Sequence, residues 1–235
     1  MLNELKIIRN ALARLTVEFF GLVGLFMFAP LVKGATVAEW AIGLMQTQFL
    51  PTGSALAVHS PLDGFFAQAA VAAALACIVL LPLLFFELWR FLAPGLHARE
   101  ATALAGGLVA ALALAALGAA FAWLVLVPVM FTELFAFVPA GVVPLFSLQK
   151  VVSLVAGFTL GTALIFLLPL VMALLTLVGL VPARLWRAYA RPAVLLVLIA
   201  SAIITPDGSG VGMVLLALPV VGLYGAGYAG AKLLA

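Results

Sequence analysis

The charges of this chain sit in short clusters separated by long uncharged runs, at 64–86, 101–132, 151–183, 192–206 and 208–231, with a shorter one at 19–32. A helix of about 20 apolar residues crosses a hydrocarbon core of roughly 30 Å. Inside that core every backbone N–H and C=O must find its partner within the protein, so only helices and closed barrels span it. A barrel would need segments of about 10 residues alternating in hydrophobicity; these runs are continuous Leu, Ala and Val. A soluble domain carries about 25% charged residues, whereas this chain has 8%, with 67% hydrophobic residues and a mean hydropathy of +1.37. The fold class is therefore all-α, a polytopic helical membrane protein.

Six transmembrane helices are expected, roughly at 12–32, 65–92, 101–127, 151–178, 193–204 and 211–229, as one domain over 1–235. Alternating sides places Lys6, Arg9, Arg14, Arg90, Arg99, Arg184, Arg187, Arg191 and Lys232 together. The other side holds only Lys33 and Lys150, with Glu39, Asp63, Glu133 and Asp207. The positive-inside rule then puts both termini in the cytoplasm. Merging the last two spans would carry Thr205-Pro206-Asp207-Gly208 through the bilayer, and that run is a turn signal. No cleavable signal peptide is expected, because 1–14 is mostly amphipathic and the first apolar run continues into an ordinary span. The net charge of +3 reports topology here and not a nucleic-acid partner.

Two outer connections are too apolar to stay dissolved as loose loops. The 33–63 segment contains Trp40, Ile42, Leu44, Met45, Phe49 and Leu50, and 127–146 contains Met130, Phe131, Leu134, Phe135 and Phe137 among three prolines. Both are expected as short helices capping the outer face or lying in the interface. Pro82, Pro169 and Pro219 fall within spans two, four and six and favour kinks. Span five is short, at about 20 Å, so it thins the bilayer locally or buries itself among neighbours. Gly157-x-x-x-Gly161 has the spacing of a close helix contact, though chance explains it better in a chain with 21 glycines.

Covalent chemistry finds little support. The sequence has no phosphate loop of the G-x-x-x-x-G-K-[ST] kind, no H-E-x-x-H and no G-x-S-x-G. His59 and His97 fall on opposite sides, and the single cysteine, Cys77, reads as a small apolar residue in span two. Neither a catalytic residue, a metal ligand set nor a cofactor is expected, and no ionisable group is expected near a span midplane. A transporter or channel for a small solute is the alternative, and a scaffold subunit without its own ligand is a third possibility.

The polar residues that remain gather on the inner face. The chain opens with Leu2-Asn3-Glu4-Leu5-Lys6, and Phe91-Leu92-Ala93-Pro94-Gly95-Leu96-His97-Ala98-Arg99-Glu100 joins spans two and three. Further along come Phe166-Leu167-Leu168-Pro169, Arg187-Ala188-Tyr189, Thr205-Pro206-Asp207, Leu218-Pro219 and Leu223-Tyr224. This ordered set resembles the TatC family, the receptor subunit of the twin-arginine translocase, over nearly the whole chain. That family opens with a His-Leu-x-Glu-Leu-Arg type motif and has Phe-x-x-Pro-Gly-Leu followed by Glu in its first inner loop. The resemblance implies a non-enzymatic protein of the cell inner (cytoplasmic) membrane within a multi-subunit complex. Its partners would be TatA-type and TatB-type single-span subunits, the lipid bilayer and twin-arginine signal peptides of folded precursors. The family is driven by the transmembrane proton gradient.

The resemblance also assigns residues. Glu4, Leu5, Lys6, Phe91, Pro94, Gly95, Leu96 and Glu100, with Glu87 near the inner end of span two, would bind the signal. Each guanidinium of an Arg-Arg pair can form a bidentate pair with a carboxylate, and Glu4 and Glu100 would supply them. As plain solvated charges they would instead neutralise Lys6 or Arg9 and Arg99. Pro169, Thr205, Pro206, Asp207, Pro219 and Tyr224 would contact partner helices. Five departures stand out: Leu167 and Gly225 occupy positions where the family usually has Glu, Lys6 replaces the first-motif arginine, the first-motif histidine is absent, and Gly208–Met213 lacks an expected Gln. Glu18, four residues after Arg14, reads as a local ion pair on one helix face.

Overall fold

In lipid, helix is the form that satisfies the backbone along a long apolar run without outside help, and the described parts of the long runs are mostly helical. A computed structural model describes residues 2–30, 34–50, 54–92, 100–139, 142, 145–204 and 210–234. In chain order the elements are α1 (Leu2–Phe28), α2 (Val37–Phe49), β1 (Ala55–Ala57), α3 (Asp63–Leu92) and α4 (Glu100–Phe121). A π turn, Ala122–Leu126, leads into α5 (Val127–Ala136), and β2 (Leu145–Ser147) precedes α6 (Leu148–Phe166). Last come α7 (Leu168–Leu177), α8 (Ala183–Ala188), α9 (Ala190–Ile204) and α10 (Val211–Leu234). Among the described residues, five stretches are long and apolar enough to cross a membrane: Arg9–Phe28, Asp63–Glu87, Gly106–Ala136, Leu148–Leu177 and Val211–Leu233. A sixth apolar helix, Ala190–Ala202, is shorter and stands where the short fifth span is expected.

The prolines behave differently from one another. Helix α6 ends at the turn residue Leu167, and Pro169 sits in the first turn of α7, where a missing N–H costs nothing. Pro82 and Pro219 lie inside α3 and α10, which continue as single helices. Pro128 brings a correction. The third span does not end at Val127: the helix continues to Ala136. A proline ring crowds the carbonyl four residues earlier and removes a donor. Here the wide π turn before Pro128 takes up that mismatch, with the Val127 N–H bonded to the Ala122 carbonyl.

The described part of the 33–63 connection packs as a cap, as its composition implies, whereas 127–136 continues the third long stretch and packs against it. Thr36 and Glu39 form a reciprocal capping box at the start of α2, with bonds of 3.2 and 3.0 Å. Ala38, Ala41, Met45 and Phe49 of α2 join a buried cluster with Val71 of α3, Met130 and Phe131 of α5, and Val152 and Val155 of α6. Phe49 stacks on Phe131 and meets Trp123 edge-on, with centroids 6.0 and 4.9 Å apart. The Trp123 indole donates to Gln48 at 2.6 Å. Asp63 is buried and accepts the N–H groups of His59 and Ser60, closing the start of α3. A short parallel pair, Ala55–Ala57 beside Leu145–Ser147, ties the two outer segments together.

Neighbours follow a simple order. Helix α1 packs on α3 and touches α2; α3 packs on α4 and α6; α4 packs on α6; α10 packs on α7 and α9. Two glycines permit the closest approaches. A Cβ at Gly118 would lie 2.8 Å from both the Ala163 Cα and the Thr162 carbonyl of α6. One at Gly227 would lie 2.9 Å from the Pro169 Cα of α7. Gly157 and Gly161 have nothing within 4 Å of that position, so their spacing is not used for packing within the described bundle. Helix α1 is the peripheral element: 6% of its Arg9–Phe28 stretch is buried, against 44% for Asp63–Glu87.

Candidate functional site

Antiparallel packing of α1 on α3 is fixed at one point by charge. The Arg14 Nη2 donates to the Glu87 Oε1 at 2.5 Å, and its Nε lies 3.4 Å from the Glu18 Oε1. The contact sets the early part of α1 beside the late part of α3, so the two elements carrying the sequence-assigned signal residues share one end of the bundle. Glu4, Leu5 and Lys6 belong to the first turns of α1, Phe91 to the last turn of α3, and Glu100 is the first residue of α4. Their side chains, and all of Pro94, Gly95 and Leu96, fall outside the described part.

Glu87 is described fully. Its side chain is 11% exposed and its carboxylate is engaged by Arg14, a pairing across 73 residues that sequence spacing cannot reveal. The local Arg14–Glu18 pair is present, as its four-residue spacing implies. Glu18 stands one helical turn beyond Arg14 on α1. Its second oxygen, Oε2, is buried without a hydrogen-bond partner. One guanidinium between two carboxylates leaves an uncompensated negative charge where charge is costly. Glu18→Leu is therefore expected to raise stability by on the order of 1 kcal/mol, read as a higher thermal midpoint of the detergent-solubilised protein.

A second polar network joins the other half of the bundle. The Tyr224 hydroxyl on α10 donates to the Trp186 carbonyl of α8 at 2.6 Å. The Trp186 indole donates to the Thr176 hydroxyl of α7 at 2.9 Å, and that hydroxyl donates to the Met172 carbonyl at 3.0 Å. Tyr224 thus anchors α8, whose Arg184 and Arg187 stay exposed. Trp186 and Thr176 were not singled out by sequence; an aromatic flanked by two arginines at a span end is the signal that marks such an interface anchor. Of the other residues assigned to partner contacts, Pro169 opens α7 and Pro219 lines a concavity beside Phe121, Gly210, Val211, Val214 and Leu218. Thr205, Pro206 and Asp207 lie outside the described residues.

The positions where a carboxylate is usual are apolar in environment as well as in identity. Leu167 is 6% exposed and packs with Leu81, Ala115 and Ala163. Gly225 is exposed, with no atom in Cβ range. Between α1, α3 and α6 lies an apolar slot of about 350 Å³, lined by Leu12, Thr16, Phe19, Cys77, Leu84 and Leu164 among others. Cys77 is part of that apolar wall. Among the described residues, no group of three His, Cys, Asp or Glu side chains could hold a metal ion.

Residues 4–219 match the family described as Sec-independent protein translocase protein (TatC), a stretch that contains both Glu4 and Glu100. The chain belongs to the TatC family. A TatC protein of Cenarchaeum symbiosum (strain A) is 38% identical over 189 residues, 78% of this chain and 70% of that relative. The TatC protein of Frankia casuarinae is 30% identical over 229 residues, covering 94% of this chain and 62% of its own length. The crystal structure of a twin-arginine translocase receptor, TatC, superposes with a TM-score of 0.79 over 98% of this chain and 99% of that one, at 22% identity. That likeness establishes the fold: this TatC chain is a multi-pass helical membrane protein with the architecture of the solved receptor.

Proposed function

We propose that this TatC-family chain is the non-enzymatic receptor of a twin-arginine translocase, binding Arg-Arg signals of folded precursors and taking part in their transport. The family match over residues 4–219 carries the reading, because it spans every residue assigned to the signal. Glu4, Leu5 and Lys6 on α1, Phe91 in the last turn of α3, Pro94, Gly95 and Leu96 of the following segment, and Glu100 at the start of α4 form the site. Glu4 and Glu100 take the guanidinium groups, and an interface setting strengthens such pairs relative to water. The apolar slot along α1 supports the reading, since an apolar segment following the arginines could lie in it. Pro169, Thr205, Pro206, Asp207, Pro219 and Tyr224 contact single-span partners of the TatA and TatB types. The chain spans the inner (cytoplasmic) membrane six times as one domain, with both termini cytoplasmic.

Two outcomes test this. A labelled twin-arginine peptide binds the purified full chain, and a twin-lysine version binds at least tenfold more weakly, because an ammonium cannot form the bidentate pair. Cysteine labelling places position 97 on the inner side and position 207 on the outer. Equal binding of the two peptides contradicts the signal site, and labelling of both positions from one side contradicts the six-span topology. A solute transporter would instead bind or move a small solute alone.

A further inference from the structure

Helix α1 carries one half of the proposed signal site, yet it is the least buried of the five long apolar stretches. Lipid tails are as apolar as leucine, so apolar contact alone gives little drive to hold such a helix in place; packing and polar links must do it. Among the described residues, the Arg14–Glu87 pair is the polar link from α1 to another helix. We propose that Arg14 is a positioning residue: through Glu87 it braces α1 against α3 and so fixes Glu4 relative to the 91–100 segment. Its functional part rests on the signal site proposed above.

The geometry suits a brace. Arg14 is held from two directions, by Glu18 on its own helix at Nε and by Glu87 across the interface at Nη2. A guanidinium can make both contacts in one plane, which an ammonium cannot. Glu87 is only four residues before Phe91, about one helical turn, so the anchor on α3 is close to the segment it would position. Glu4 is about 15 Å along α1 from Arg14. A tilt of about 10° at the brace would therefore carry Glu4 through about 3 Å, beyond the tolerance of a hydrogen bond. With its carboxylate already engaged, Glu87 acts on the signal through α1 and not by touching it.

Binding of the twin-arginine peptide separates the two roles by sign. If Glu87 were a direct signal ligand, Arg14→Gln would free its carboxylate and tighten binding while Glu87→Gln weakened it. A brace requires both changes to weaken binding similarly, by roughly tenfold, with the double change no worse than either single one. The charge swap, Arg14→Glu with Glu87→Arg, restores binding because the cation again meets both α1 carboxylates. Independently of any peptide, spin labels at Ile8→Cys and Ala101→Cys in a Cys77→Ser background report the spacing of α1 from α4. The expected result is one narrow distance in the otherwise unchanged chain, broadened by Arg14→Gln and narrowed again by the swap. An unchanged distribution in Arg14→Gln, or tighter peptide binding by it, overturns the brace. If the unchanged chain fails to prefer the twin-arginine peptide, the signal-site reading fails instead, and the distance measurement still decides on the brace.

Discussion

Replacing Glu100 with Gln lowers the affinity of a twin-arginine signal peptide by roughly 10- to 150-fold. The amide keeps the size and one acceptor of the carboxylate but removes the charge that favours a guanidinium, and a charged hydrogen bond contributes about 1.5–3 kcal/mol. Glu4→Gln shifts affinity in the same direction. If both carboxylates grip one Arg-Arg dipeptide, the double change costs less than the sum of the two singles. Titration of a labelled peptide into the purified variants measures this. Binding by Glu100→Gln equal to that of the unchanged chain would make Glu100 a solvated partner of Arg99 and remove it from the site.

The largest stability loss from one added methyl group is expected at Gly118. Its neighbours at 2.8 Å are the Cα of Ala163 and the carbonyl of Thr162, backbone atoms that cannot rotate aside. Gly118→Ala must push α4 away from α6, and overpacking of this kind costs about 1–3 kcal/mol. Gly157→Ala serves as the contrast. Nothing lies within 4 Å of its added carbon, and alanine is the better helix former by about 1 kcal/mol, so stability holds or rises. Thermal unfolding in one detergent compares the three proteins. Equal midpoints for Gly118→Ala and Gly157→Ala would contradict the close α4–α6 approach.

These two glycines also show where sequence reading stops. The spacing of Gly157 and Gly161 is visible as a pattern, whereas the contact at Gly118 depends on which helix lies opposite, and nothing local to the chain encodes that. Charge-free runs expose the spans because lipid imposes one length and one backbone solution. Apolar outer segments betray their packing for the same hydrophobic reason, and Met45, Phe49 and Phe131 all lie in the outer cluster. The continuation of span three past Pro128 was hidden because a proline reads as a stop until the π turn before it is seen. Strands of three residues, Ala55–Ala57 and Leu145–Ser147, are too short to show a period of two. At the site, Arg14 and Glu18 were legible as neighbours four apart, but Glu87 comes from another helix. Its partner, Arg14, is likewise found only once α1 is seen against α3.

The central claim is that the ends of α1 and α3, together with the start of α4, form a receptor for paired arginines. Photocrosslinking tests it most directly, using the full chain in membranes and a signal peptide with a photoreactive residue beside its Arg-Arg pair. The expected adducts map to residues 2–8 and 91–104 and disappear when the pair is Lys-Lys. Adducts elsewhere on the chain, or adducts that persist unchanged with Lys-Lys, would contradict it.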